Sequence, residues 1–177
     1  MHRLLGMLTI VGAAVLLLEV SPGAARGGPP PASTTAAEQN LAIIVNQANA
    51  VDDISLKELR MVFLGERSHW PNGRRITLVM MDPGLAERKA VLRDICRMNE
   101  NEFSRHFLQG LFTGEVFVSP KTLSSATGVR KFVFNVPGAI GYVRASDVDA
   151  TVKVIRVNGH GVDDPDYPLR IEARASK

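Results

Sequence analysis

The residues whose types and spacing could do chemistry lie in Met80-Met81-Asp82-Pro83-Gly84-Leu85-Ala86-Glu87-Arg88. The stretch leaves an apolar strand, turns at Asp82-Pro83-Gly84 and enters a helix. In open α/β sheets ligands gather at the carboxyl ends of strands, beside helix N-termini. Free backbone N–H groups at such a start form a generic anion site. Arg88, one turn in, can add a guanidinium. Asp82 reads equally well as a ligand acceptor or as an N-cap before Pro83. Arg88 reads as an anion contact or as a surface residue paired with Glu87 or another nearby carboxylate.

A second cluster lies in the loop Glu66–Arg75, where Arg67, His69, Arg74 and Arg75 make a local basic patch around Trp70. Arg67, Trp70 and Arg74 are the candidate partner surface, suited to an acidic partner. Solvated loop is the plain alternative for the arginines, and for Trp70 a role with Phe63 in pinning the loop. Enzyme signatures are missing: the chain has no Gly-x-Ser-x-Gly elbow, His-Glu-x-x-His or P-loop. His69 and His106 stand apart without metal-ligand spacing. Cys96 is the single cysteine, so no intrachain disulfide forms, and its place on an apolar helical face makes it core. The expectation is a non-enzyme with no cofactor and no metal.

The elements that position these residues follow from periodicity. Leu41–Val45 is a continuous apolar run and reads as a buried strand. Ser55 with Glu58 forms a capping box, and Leu56, Leu59, Val62 and Phe63 share one face of the helix it opens; Gly65 closes that helix. Ile76–Met81 is a second buried strand, followed by a helix over roughly Leu85 to Met98 with Val91, Leu92, Ile95 and Cys96 inward. Asn99 and Glu102 suggest a second capping box, opening a helix from Glu100 to about Leu111 that Gly110 and Gly114 bracket. Thr113–Pro120 reads as an irregular connection, and a helix from Ser124 or Ser125 to Asn135 buries Val129, Phe132 and Val133. Gly138–Val143 is a strand whose glycines imply close packing or unusual backbone angles. Val152–Val157 is the last strand, and Tyr167-Pro168-Leu169 begins the tail. This alternation predicts an α/β domain with a parallel or mixed sheet flanked by helices.

Composition sets the remaining bounds. With 177 residues, 45% hydrophobic and 6% aromatic, the chain can fill one core, mostly with aliphatic side chains. The net charge of +3 favours anionic partners weakly, and without a dense Lys/Arg stripe nucleic-acid binding has little support. His2 and Arg3, then the uncharged stretch Leu4–Leu18 and small residues up to Ala25, have the layout of a secretory signal peptide over 1–25. Residues 26–40, with prolines at 29–31, read as a linker, 41–170 as the domain and 171–177 as a tail. The expected location is periplasmic or secreted.

Several segments add up to a resemblance. Ile54-Ser55-Leu56 with Leu59 and Phe63-Leu64-Gly65, then Trp70 with Asn72-Gly73, then Ile76-Thr77-Leu78-Val79, resemble the phosphate-binding proteins of bacterial ABC transporters, which have the type II periplasmic binding protein fold. Phe112-Thr113-Gly114, Pro137–Val143 and Gly161…Tyr167-Pro168-Leu169 are similar to the same family. The resemblance implies one lobe of that fold, an export route, an ABC transporter or envelope protein as partner, and phosphate or another small oxyanion as ligand, met by Asp82, Gly84 and Arg88. The family's phosphate loop reads Arg-x-Asp-Gly-Ser-Gly-Thr. Here Met80 stands where the family has Arg, and Gly84 and Ala86 replace the hydroxyl donors. Each charge-assisted bond is worth on the order of 1.5–3 kcal/mol, so these changes remove several decades of phosphate affinity. The expected function is therefore weak oxyanion binding or an accessory role in transport, with a protein-interaction module carrying a decayed ligand site as the alternative.

Overall fold

The computed structural model describes residues 40–116 and 119–172. The expected signal peptide, and the linker up to residue 39, lie outside the described residues. The main sheet has five strands: β1 (Leu41–Asn46), β3 (Thr77–Met81), β4 (Lys121–Leu123), β5 (Ala139–Arg144) and β6 (Val152–Val154), in the order β4-β3-β5-β1-β6. The β3–β4 and β3–β5 pairs are parallel, whereas β1 runs antiparallel to both β5 and β6. The sheet is thus mixed. All six residues of β1 are buried, as a strand covered on both faces requires. Asn46 is satisfied by donating Nδ2 to the carbonyls of Val133 and Phe134.

Between β1 and β3, α1 (Leu56–Phe63) starts at Ser55, whose capping box with Glu58 is complete. Leu59, Val62 and Phe63 are buried. At its end Gly65 adopts φ 76°, and the N–H groups of Gly65 and Glu66 reach back to the carbonyls of Val62 and Met61. That is a Schellman termination, for which glycine's freedom at positive φ is needed. The helix expected from Leu85 to Met98 is shorter in its regular part. α2 covers Ala86–Val91, the chain then widens into a π-turn over Leu92–Cys96, and Arg97 in the left-handed region (φ 54°) ends it. The widened turn still buries Leu92, Ile95 and Cys96.

The second expected capping box is also present, Asn99 with Glu102, and α3 runs from Glu100 to Thr113, two residues beyond the expected end. Gly114 caps it at φ 77°. α4 (Ala126–Asn135) is capped by Ser125 and buries Val129 and Val133, with Phe132 half-buried. The continuous strand expected over Val152–Val157 breaks at Ile155. β6 pairs with β1, after which Arg156 N–H donates to Asp52, and β7 (Arg156–Val157) pairs in parallel with the short β2 (Asp53–Ile54). Ile155 fills the core at the break. The Tyr167-Pro168-Leu169 segment is not a loose tail. Tyr167 and Leu169 are buried, Tyr167 Oη donates to Leu41 O at 2.9 Å, and Leu41 N–H donates to Leu169 O at 3.0 Å. Ile171, placed in the tail by the sequence reading, is buried too.

Candidate functional site

The loop after β3 is built from local constraints. Asp82 N–H donates to Leu123 O, which ties the end of β3 to the end of β4. Leu85 N–H reaches the Asp82 carbonyl at 3.4 Å, and Gly84 at φ 92° makes the turn. Asp82 is half-buried and Gly84 exposed, with open space where a Cβ would stand. The N-cap position of α2 belongs to Leu85 without any side-chain cap, so Asp82 does not cap the helix.

Arg88 is where the sequence expectation changes most. Its residue is 6% exposed, which excludes the surface position considered for it. Nε donates to Glu100 Oε2 at 2.8 Å, Nη2 to Glu100 Oε1 at 2.6 Å, and Nη1 to Met81 O at 2.8 Å. The guanidinium carbon also lies 5.4 Å from the centre of the Phe103 ring. The carboxylate partner comes from α3, because Glu87 is taken by Arg144 at 2.5 Å. The two-pronged geometry matches planar guanidinium to planar carboxylate. So the group expected to meet an anion meets Glu100, and joins β3, α2 and α3.

The proposed partner surface separates in the same way. Trp70 is buried, and its indole Nε1 donates to Gly138 O at 3.0 Å, so Trp70 is removed from any surface role. The same carbonyl accepts Thr77 N–H at 3.1 Å. Gly138 has no alternative here, because a Cβ would lie 2.0 Å from Arg75 O. Arg74 remains exposed. Arg67 is half-buried, donating to Glu58 at 3.0 Å. His106 sits against Leu64 O at 2.8 Å.

Two buried titratable groups complete the interior. Burial pushes the Cys96 thiol up to about 12, which keeps it protonated and unreactive. Tyr142 is also raised by burial; its Oη accepts Met81 N–H at 2.9 Å, and its ring lies 6.1 Å from that of Phe63. Among the described residues no three His, Cys, Asp or Glu side chains converge in a way that could hold a metal. Nor is any described helix long and apolar enough to cross a membrane.

What sequence reasoning missed is a cleft of about 450 Å³ at the other end of β3, between the 65–68 turn, the start of β3, α3 and the approach to β4. Its lining brings together Arg67, Arg75 and Lys121 with Ser68, Thr77 and Ser119, over an apolar floor that includes Phe107 and Phe132. The only sequence signal was the basic loop, since Lys121 arrives from a distant segment. A separate feature is the end of α3, where Leu108 (58% exposed), Leu111 (41%) and Phe112 (85%) face outward at i, i+3, i+4 spacing.

No family model matches the chain. Solved structures do. An ABC-type phosphate transport receptor from Vibrio cholerae aligns at a TM-score of 0.57 and 20% identity over 70% of this chain and 48% of its own. A putative phosphate ABC transporter substrate-binding protein with bound phosphate from Clostridium perfringens aligns at 0.58 and 20%, over 70% and 47%. PstS from Borrelia burgdorferi aligns at 0.59 and 13%, over 75% and 55%. The fold is periplasmic-binding-protein-like. The chain spans about half the length of these structural relatives, in keeping with one lobe. At these identities the likeness is one of fold, and the side chains of the Asp82–Arg88 loop have to speak for themselves.

Proposed function

We propose that this chain is an exported, non-catalytic, one-lobe relative of the phosphate-binding proteins that acts as an accessory component of an envelope transport system and does not capture phosphate at the loop after β3. The observation that carries the reading is the engagement of Arg88. Its guanidinium is turned onto Glu100 and Met81 O, Arg144 is held by Glu87, and Asp82 adds negative charge to a loop without the hydroxyl donors a phosphate would need. A dianion entering there would have to displace Glu100 from Arg88 or Glu87 from Arg144, and desolvate beside the Asp82 carboxylate. The outward Leu108, Leu111 and Phe112 stripe supports a protein contact, because an apolar patch on a surface helix commonly marks an interaction site. An ABC transporter subunit or another envelope protein is the expected partner.

Isothermal titration of the purified chain with phosphate and sulfate tests the ligand half. The expected result is no saturable binding tighter than about 1 mM. Micromolar phosphate binding lost on Arg88→Lys, with the thermal midpoint retained, refutes it. For the partner half, co-purification with an ABC transporter's membrane subunits should be lost when Leu111 and Phe112 are both replaced by Asp. Retention of the partner by that variant removes the α3 surface from the account.

A further inference from the structure

The cleft at the start of β3 has a composition that the accessory role does not use. We propose that it is a binding site for a small organic anion, a carboxylate or phosphate monoester carried on an apolar body. Among the described residues three cations line it, Arg67, Arg75 and Lys121, and no carboxylate does. Arg67 is paired with Glu58 at 3.0 Å. Arg75 and Lys121 make no ion pair or side-chain hydrogen bond among the described residues, so two charges are uncompensated at the rim. Thr77 adds a hydroxyl donor of the kind that satisfies the lone pairs of an oxyanion beyond the salt bridges, whereas the Ser68 hydroxyl is engaged with His69 Nδ1 at 2.9 Å.

The backbone explains why there is room. The parallel ladder between β3 and β4 begins at Val79 and Lys121, and Pro120, which has no N–H, cannot carry it on toward Leu78. The first residues of β3 therefore keep their β5 partners on one side and face the cleft on the other. A volume of about 450 Å³ falls in the range of small-molecule sites, and the mix of mostly apolar lining with a few convergent polar groups is the usual make-up of one. Inorganic phosphate would use the cations and leave the half-buried Leu78 and Phe132 against water. A ligand that covers both fits better, and this separates the site from the loop after β3, whose arginine, Arg88, is engaged by Glu100 and Met81 O.

The test titrates the purified full chain with phenyl phosphate, benzoate, inorganic phosphate and neutral benzyl alcohol, following heat and amide NMR shifts. Phenyl phosphate should bind saturably and at least about 10-fold tighter than inorganic phosphate, with benzyl alcohol silent and with shifts at Ser68 and Thr77. The double variant Arg75→Gln/Lys121→Gln changes exposed side chains and should keep its thermal midpoint while weakening phenyl phosphate by about 10-fold or more. Benzoate binding alone would narrow the ligand to carboxylates. The proposal is overturned by absence of saturable binding to either organic anion below about 10 mM, by undiminished binding in the double variant, or by inorganic phosphate binding as tightly as phenyl phosphate. Failure here leaves the accessory role standing, since that role rests on Arg88 and α3.

Discussion

Replacing Arg88 with Ala should destabilise the domain while leaving any anion response unchanged. The side chain makes two charge-assisted bonds to Glu100, one bond to a backbone carbonyl and a ring contact with Phe103. Each charge-assisted bond is worth about 1.5–3 kcal/mol before desolvation, and the ring contact about 0.5–1 kcal/mol. The Glu100 side chain is 38% exposed, so solvent screens its half of the pair and rehydrates it when Arg88 is lost. A net loss of about 2–4 kcal/mol remains. For a domain of this size that is a fall in Tm of roughly 6–16 °C. Glu100→Ala should cost about as much, because it strands a buried guanidinium with a single carbonyl partner. Since both substitutions break the same contact, the double variant should fall short of the sum by about 1–2 kcal/mol. Urea unfolding followed by circular dichroism measures all four corners of this cycle. An Arg88→Ala midpoint within about 0.5 kcal/mol of the parent, or strictly additive single effects, would refute the structural role argued for this pair.

Gly138→Ala should be among the most damaging single-methyl changes in the chain, because the added carbon meets Arg75 O at 2.0 Å and backbone cannot swing away as a side chain can; a loss of more than about 2 kcal/mol in urea unfolding is expected, and a neutral result would contradict the packing of Trp70 on that carbonyl. Cys96 should resist iodoacetamide at pH 8 in the folded protein and react only as fast as the domain unfolds. Its folded value is raised to about 12, so its stabilising contribution is full below the unfolded thiol's value near 9 and declines as pH rises from there toward 12. Rapid alkylation under native conditions would show that the thiol is accessible.

Features set by neighbours a few residues apart were legible in the sequence. Ser55 with Glu58, Asn99 with Glu102 and the Gly65 termination each need only local spacing, and all three form. Buried strands were legible as apolar runs for the same reason. The split of the last strand at Ile155 was not, because it depends on Asp52 arriving from another segment to accept Arg156 N–H. Arg88 is the clearest case. Its neighbours in sequence are Asp82 and Glu87, but the partner that decides its role is Glu100 on the next helix, aimed by the π-turn that no periodicity announced. The cleft was hidden for a related reason, since the basic loop that supplies Arg67 and Arg75 meets Lys121 only in the folded chain, across a long stretch of sequence.

The two stretches that carry the family resemblance turn out to contact each other. Trp70 of the first donates to Gly138 of the second, and Phe63 of the first packs near Tyr142 of the second. Tyr142 in turn accepts a hydrogen bond from Met81, the residue next to the expected ligand loop. These are packing relations, and changing any one of them would disturb a core in which Phe63, Met80, Ile140 and Tyr142 are all fully buried. Ligand chemistry is under no such constraint, because Asp82 and Gly84 lie on a turn whose far side is open. The same packed residues are therefore compatible with a loop above them that carries methionine, glycine and alanine, as here, in place of guanidinium and hydroxyls. In this chain the loop's arginine is part of the frame, and two cations without an ion pair among the described residues, Arg75 and Lys121, lie at the other end of the same strand.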